Sequence, residues 1–144
     1  MFVTQFIYLF FLSFLASTIV PLGSEWFLIK LVSEDANPIA SVTIASIGNY
    51  LGALTTYYIG IYGSPVIIEK VLRVSSSSLE KAKVRYKKYG SWSLLFSWVP
   101  IIGDPICLAG GILSIRLKTF TILVLTGKVF RYALIAYITL KVSK

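Results

Sequence analysis

The stretch Trp98-Val99-Pro100-Ile101-Ile102-Gly103-Asp104-Pro105-Ile106-Cys107-Leu108-Ala109-Gly110-Gly111-Ile112-Leu113-Ser114-Ile115 sets one carboxylate, two prolines and three glycines in a run otherwise suited to hydrocarbon. Proline removes a backbone donor and clashes with the preceding turn, so a straight helix through this run would leave carbonyls without partners in lipid. Broken segments at membrane depth are tolerated where protein or water covers them. The stretch therefore reads as a re-entrant hairpin lining a cavity, broken at Pro100, Gly103, Pro105 and Gly110-Gly111, with Asp104 near its tip.

The rest of the chain supports a membrane setting. Of 144 residues, 56% are apolar and 14% charged, and the mean hydropathy is +0.80, well outside the range of soluble domains. About 20 residues are needed per helical span, so the length allows one membrane domain over 1–144 and no separate soluble one. The net charge of +8 comes mainly from the segment Lys81 to Lys88. Flanked by apolar runs, that charge points to an anionic lipid leaflet and not to nucleic acid. Histidine is absent and Cys107 is the single cysteine. These counts exclude a Ser-His hydrolase, a His-ligated zinc site and an internal disulfide; no cofactor or metal is expected, and the chain does not read as an enzyme. The Gly103-Asp104 pair is not an intramembrane aspartyl protease motif, because position 101 of the required Gly-x-Gly-Asp is Ile and the other aspartate, Asp35, sits in a polar loop. No basic residue precedes the first apolar run, so it reads as retained and not as a signal peptide.

Four apolar blocks emerge, roughly residues 1–33, 39–63, 91–115 and 119–140. The second and fourth have the length of spanning helices. The first resembles the third in being broken, here at Pro21-Leu22-Gly23. If block three turns back, Lys81, Lys83, Arg85, Lys87, Lys88, Arg116 and Lys118 share the cytoplasmic side, with Glu34-Asp35 outside, as the positive-inside rule prefers. Lys141 and Lys144 then fall outside, against the rule. Between blocks two and three, Ser77 and Glu80 have capping-box spacing, Leu79, Ala82, Tyr86 and Tyr89 recur at helical spacing, and Gly90 offers a stop. The expected element is a short amphipathic helix whose Lys81, Arg85, Lys87 and Lys88 contact the membrane surface; a solvated connector that only sets topology is the alternative.

Sliding the sequence on itself by 79 residues superposes Val20-Pro21 on Val99-Pro100, Glu25 on Asp104, Gly48 on Gly127 and Tyr58-Ile59 on Tyr137-Ile138. The resulting plan is repeat one (about 1–63), an amphipathic connector (about 64–90) and repeat two (about 91–144). One spanning helix separates the two hairpins, so the repeats would be inverted, as in many secondary transporters. The expected fold is all-α: an inverted repeat of re-entrant helical hairpin plus transmembrane helix, with a cytoplasmic amphipathic helix between. Glu25 and Asp104 would face one another across a pseudo-two-fold axis. An isolated Asp at the centre of a span costs about 2.5–3.5 kcal/mol, so cations are needed, and Lys128 and Arg131 lie one turn apart in the last block. Asn49 needs a partner at midplane, whereas Gly48 and Gly52 read as close helix packing. Cys107 reads as a small buried residue. Asp104 as an Asp-Pro turn and Glu25 beside an interfacial Trp26 are the structural alternatives to a proton-pathway role.

The series Glu25, Gly48-Asn49-x-x-Gly52, Gly60, Tyr89-Gly90-x-Trp92, Trp98-x-Pro100-x-x-Gly103-Asp104-Pro105, Ala109-Gly110, Phe120 and Gly127-Lys128-x-x-Arg131-Tyr132 resembles the DedA/VTT (SNARE-associated) membrane protein family, in its small YqaA-like branch. The order and spacing over about residues 11–135 carry the resemblance. It implies two facing re-entrant hairpins in a multi-pass cell-membrane protein. It also implies movement of phospholipids or polyprenyl phosphates between leaflets, coupled to protons in some members. Glu25 falls where the family has an acidic residue needed for function. The family's arginines, three residues before and after the hairpin proline, are here Ser97 and Gly103. Lys128 and Arg131 are the candidates to replace that charge. The expected function is thus a transporter or scramblase for an anionic lipid. Protons are the candidate coupling ion and a homodimer the means of thickening the wall. The alternative is a non-transporting membrane assembly or partner-recruiting protein.

Overall fold

The computed structural model describes residues 2–17, 24–63, 75–99 and 102–144, and among these every regular element is a helix. In chain order they are α1 (Phe2–Ala16), α2 (Ser24–Ser33), α3 (Pro38–Tyr62), α4 (Ser76–Tyr89), a 3₁₀ segment (Gly90–Trp98), α5 (Gly103–Ile112) and α6 (Leu117–Val142). Of the described helices, α6 is long and apolar enough to cross a membrane. Helix α3, 25 residues long, carries no charged side chain and starts where the side chain of Asn37 accepts from the amides of Ile39 and Ala40 at 3.0 and 3.1 Å, with Pro38 in the first turn where no donor is needed.

Helices α3 and α6 pack against each other and form the centre. Helix α1 lies along α3 and the 3₁₀ segment along α6, while α2 packs against α6 and α5 against α3. Each ten-residue helix therefore leans on the long helix that does not follow it in sequence. Two apolar cores result. Leu9, Leu28, Leu31, Ala45, Tyr132 and Ala136 join α1, α2, α3 and α6; Ala53, Tyr57, Tyr86, Leu94, Ile106 and Phe120 join α3, α4, the 3₁₀ segment, α5 and α6.

The 79-residue spacing recurs in the backbone. Ser24 and Gly103 open the short helices, Ser33 and Ile112 close them, and Pro38 and Leu117 open the long ones. The turns between them match as well. The Ala36 amide donates to the Leu31 carbonyl and the Ile115 amide to the Gly110 carbonyl, both at 3.0 Å. Among the described residues, the two non-glycine residues with positive φ are Asp35 (63°) and Ser114 (53°). Both helices thus end in the same left-handed cap, in which the sixth amide closes on the first carbonyl.

Several sequence expectations are corrected. Gly103 and Pro105 are not in a break: they form the first turn of α5, where proline's missing donor costs nothing. Gly110 and Gly111 lie inside α5, buried, where a Cβ on Gly111 would run into the carbonyl of Tyr57 in α3. These glycines bring helices together and do not interrupt them. The cap of α4 is Ser75, whose side chain accepts from the Ser78 amide at 3.2 Å, and Glu80 pairs with Lys83, so the Ser77–Glu80 capping box does not form. Gly90, with φ +63°, does end α4. Tyr89, expected on the packed face of α4, is exposed. Pro21, Gly23 and Pro100 lie outside the described residues.

Gly111→Ala is expected to destabilise the protein by about 1–3 kcal/mol, because the contact it overpacks is backbone and cannot swing aside. Thermal unfolding in detergent checks this: an unchanged midpoint would refute the α3–α5 packing.

Candidate functional site

Two polar layers are buried inside the bundle, one on each flank of α6. In the first, the short helix α2 presents Glu25 in its first turn. That position suits a carboxylate, since the amide end of a helix carries partial positive charge. Glu25 forms an ion pair with Arg131 of α6, and the two side chains are 15% and 13% exposed. The next residue of α6, Tyr132, is fully buried, and its hydroxyl hydrogen-bonds Ser24 Oγ at 2.8 Å. Asn49, 2% exposed, donates from Nδ2 to the Ser13 carbonyl at 3.0 Å. Gly48 and Gly52 make that approach feasible: a Cβ on either would strike the carbonyl of Phe10 or Phe14 in α1. Among the described residues, Ser17 Oγ, Ser46 Oγ and Glu25 Oε2 in this layer are buried without a hydrogen-bond partner. Ser13 and Asn49 lie within side-chain hydrogen-bond reach of Tyr132, so the layer is one polar cluster shared by α1, α2, α3 and α6.

The second layer is built around Lys128, 2% exposed, whose ammonium donates to the Ser97 carbonyl at 3.1 Å. Ser97 Oγ is buried without a hydrogen-bond partner among the described residues. Asp104, in the first turn of α5, is half-buried and within electrostatic reach of Lys128, and Cys107, one turn further on, is free and buried. Among the described residues no ion pair joins Asp104 to Lys128. Asn49 and Lys128, 79 residues apart, have the same local role: each follows a glycine packed on the preceding segment and donates to one of its backbone carbonyls. Glu25 thus has an ion-pair partner on α6, whereas Asp104 lies only within electrostatic reach of one.

An apolar groove of about 400 Å³ opens beside the first layer, lined by Glu25, Trp26, Ile29, Trp98, Phe130, Arg131 and Leu134. It brings α2, the 3₁₀ segment and α6 together, with one ion pair set in its wall. Elsewhere, the four basic residues expected at the membrane surface divide. Lys81 and Arg85 line a cavity under α4 with Ser78, Ile102 and Pro105. Lys87 and Lys88 face outward in the last turn of α4.

Sequence reasoning missed Ser13, Ser24 and Tyr132. The available signal was the four-residue step Ser13–Ser17 matching Gly48–Gly52, which marks two small-residue faces that pack together.

The chain matches the model of the VTT domain over residues 1–140. It belongs to the VTT domain (DedA) family. It is 36% identical over 130 residues to a protein of Escherichia coli named inner membrane protein YqaA, covering 90% of this chain and 87% of that one. An uncharacterized protein of Haemophilus influenzae is 30% identical over 140 residues, 92% of this chain and 85% of that one. An uncharacterized membrane protein of Bacillus subtilis, YkoX, is 31% identical over 113 residues, 74% of this chain and 48% of that one. No solved structure matches the chain. The VTT family protein described here is accordingly an all-α membrane protein.

Removing one partner of a largely desolvated ion pair strands the other and costs about 3–5 kcal/mol, whereas removing both costs far less. Glu25→Gln and Arg131→Gln should therefore each lower stability by more than the double variant does, read as a double-mutant cycle on thermal unfolding in detergent. Additive losses would contradict a direct Glu25–Arg131 interaction.

Proposed function

We propose that this protein moves an anionic lipid, a phospholipid or a polyprenyl phosphate, between membrane leaflets. The observation that carries this reading is the groove beside α2 and α6: an apolar groove of about 400 Å³ with the Glu25–Arg131 pair in its wall. Lipid tails need apolar walls and a phosphate needs a cation, and the groove supplies both. A phosphate arriving at Arg131 competes with Glu25, and protonation of Glu25 frees the guanidinium for it. Asp104 and Lys128 form the corresponding acid and cation on the other flank, and Asn49 completes the polar pathway. The residues Lys128 and Arg131 thereby replace the charge that the family pattern carries near the hairpin proline.

The fold we propose for this work is one membrane domain over 1–144, multi-pass in the cell membrane, made of two inverted repeats (about 1–63 and 91–144) joined by the amphipathic connector. The first and third apolar blocks are re-entrant in this reading. Support comes from the matched caps 79 residues apart and from the crossed packing of α2 on α6 and α5 on α3. Inversion places the two polar layers so that they open to opposite leaflets in turn, as alternating access requires. A homodimer would close the outer wall of the groove.

A second reading, a non-transporting assembly or recruiting protein, is favoured by the outward-facing Lys87 and Lys88, which have no carboxylate partner among the described residues.

Purified protein in liposomes with fluorescent phospholipids or a polyprenyl phosphate tests the choice. Wild type should move lipid between leaflets, Arg131→Gln and Asp104→Asn should slow it about tenfold or more, equivalent to about 1.4 kcal/mol in the barrier, and Lys87→Gln/Lys88→Gln should slow it only modestly. Folded wild type that moves neither lipid would sink the transport reading in favour of recruitment.

A further inference from the structure

The cavity under α4 is built unlike the rest of the basic surface. Lys81 and Arg85, one turn apart, line it from α4 together with Ser78, and Ile102 and Pro105 form its floor at the start of α5. Its volume is about 220 Å³. A second cavity of about 230 Å³ shares Arg85 and Ile102 with it and runs on past Tyr89, Phe96 and Val99. One end is thus cationic and hydroxylic, and the other is apolar and aromatic.

Helix α4 is held rigidly over this space. Tyr86 is buried and donates from its hydroxyl to the Ile106 carbonyl of α5 at 2.9 Å. Ser93 Oγ donates to the Arg85 carbonyl at 3.1 Å. Ala82 packs into the core between α4 and its neighbours. These ties fix which face of α4 points inward, and they set Arg85, half-buried, and Lys81, exposed, along the cavity. The adjacent Lys83 is neutralised by Glu80 at 3.5 Å. Among the described residues, neither Lys81 nor Arg85 has a carboxylate in ion-pair contact.

Two cations without a carboxylate partner among the described residues, and a hydroxyl, at one end, with an apolar extension at the other, are complementary to a phosphate that carries a hydrocarbon chain. A guanidinium takes two phosphate oxygens in its planar fork and an ammonium adds a third contact from one turn away. Inorganic phosphate would use the first cavity and leave the second empty. We infer that the cavity under α4 is a binding site for the phosphate headgroup of a single anionic lipid, held by Lys81, Arg85 and Ser78, with the start of its chain lying along Tyr89, Phe96 and Val99. The inference rests on the lipid-handling reading above and deepens it, because the floor of this site is the first turn of α5, which also carries Asp104. A lipid seated there touches the element that holds the second acid.

Isothermal titration of the full-length protein in an uncharged detergent tests the site without requiring transport. Dihexanoyl phosphatidic acid should bind wild type with at least about tenfold higher affinity than inorganic phosphate does. Lys81→Gln/Arg85→Gln should weaken it about tenfold or more, the size expected from charge-assisted hydrogen bonds. Lys83→Gln/Lys118→Gln, which removes the same charge away from the cavity, should change it less than about twofold. Arg85→Lys, which keeps the charge and loses the fork, should fall between. Equal losses in the two double variants, an unchanged affinity in Lys81→Gln/Arg85→Gln, or phosphate binding as tightly as the lipid would each overturn the inference. Binding here without translocation in liposomes removes the transport reading and leaves this site standing. Translocation without binding here does the reverse.

Discussion

Lys128 and Arg131 sit one turn apart on a helix suited to hydrocarbon, and the surrounding structure is arranged to make that tolerable. A cation inside an apolar layer must be paired or held by carbonyls. For Arg131 the partner is Glu25, delivered by the first turn of α2; for Lys128 it is the Ser97 carbonyl at the end of the 3₁₀ segment, with Asp104 nearby. Both solutions require a chain segment to end inside the bundle beside α6. Helix ends expose unpaired amides and carbonyls, and these ends find their uses in the same polar layers.

Close approach of helices makes those layers fit. In lipid there is no hydrophobic driving force between helices, so packing and internal hydrogen bonds have to hold them. Gly48 and Gly52 admit α1 to α3, Gly60 and Gly111 admit α5 to α3, and Gly127 admits the 3₁₀ segment to α6. The consequence for function is a bundle whose polar layers lie between tightly packed small-residue faces. The apolar groove opens where large side chains, Trp26, Trp98 and Phe130, keep the helices apart.

Much of this was legible in the sequence, for physical reasons that differ by element. The long helices, expected at 39–63 and 119–140, run from Pro38 to Tyr62 and from Leu117 to Val142, because an uninterrupted apolar run has no other way to satisfy its backbone in lipid. The need for a cation near an acid in lipid was legible too, since it follows from desolvation alone, and Glu25 has one in Arg131. Which cation serves which acid was not, because that depends on where α2 and α5 dock. Gly103 and Pro105 were misread as breaks since a proline says only that no donor is available, which is equally true of a helix's first turn. The cap of α4 was misplaced because four consecutive serines, Ser75 to Ser78, offer several hydroxyls for the same orphan amides. Charge periodicity on α4 grouped Lys81 and Arg85 with Lys87 and Lys88, and only the position of α5 separates the pair over a cavity from the pair facing out.

The matched caps at Asp35 and Ser114 give the proposed inverted arrangement its most direct handle, since inversion requires these two like turns to lie on opposite sides of the membrane. Single cysteines at each of the two positions, in a Cys107→Ser background, can be labelled in oriented membrane vesicles with a thiol reagent that does not cross the bilayer. The account predicts that the cysteine at position 35 reacts from outside and the one at position 114 from the cytoplasmic side. Labelling of both from the same side would contradict it, and with it the pathway between leaflets.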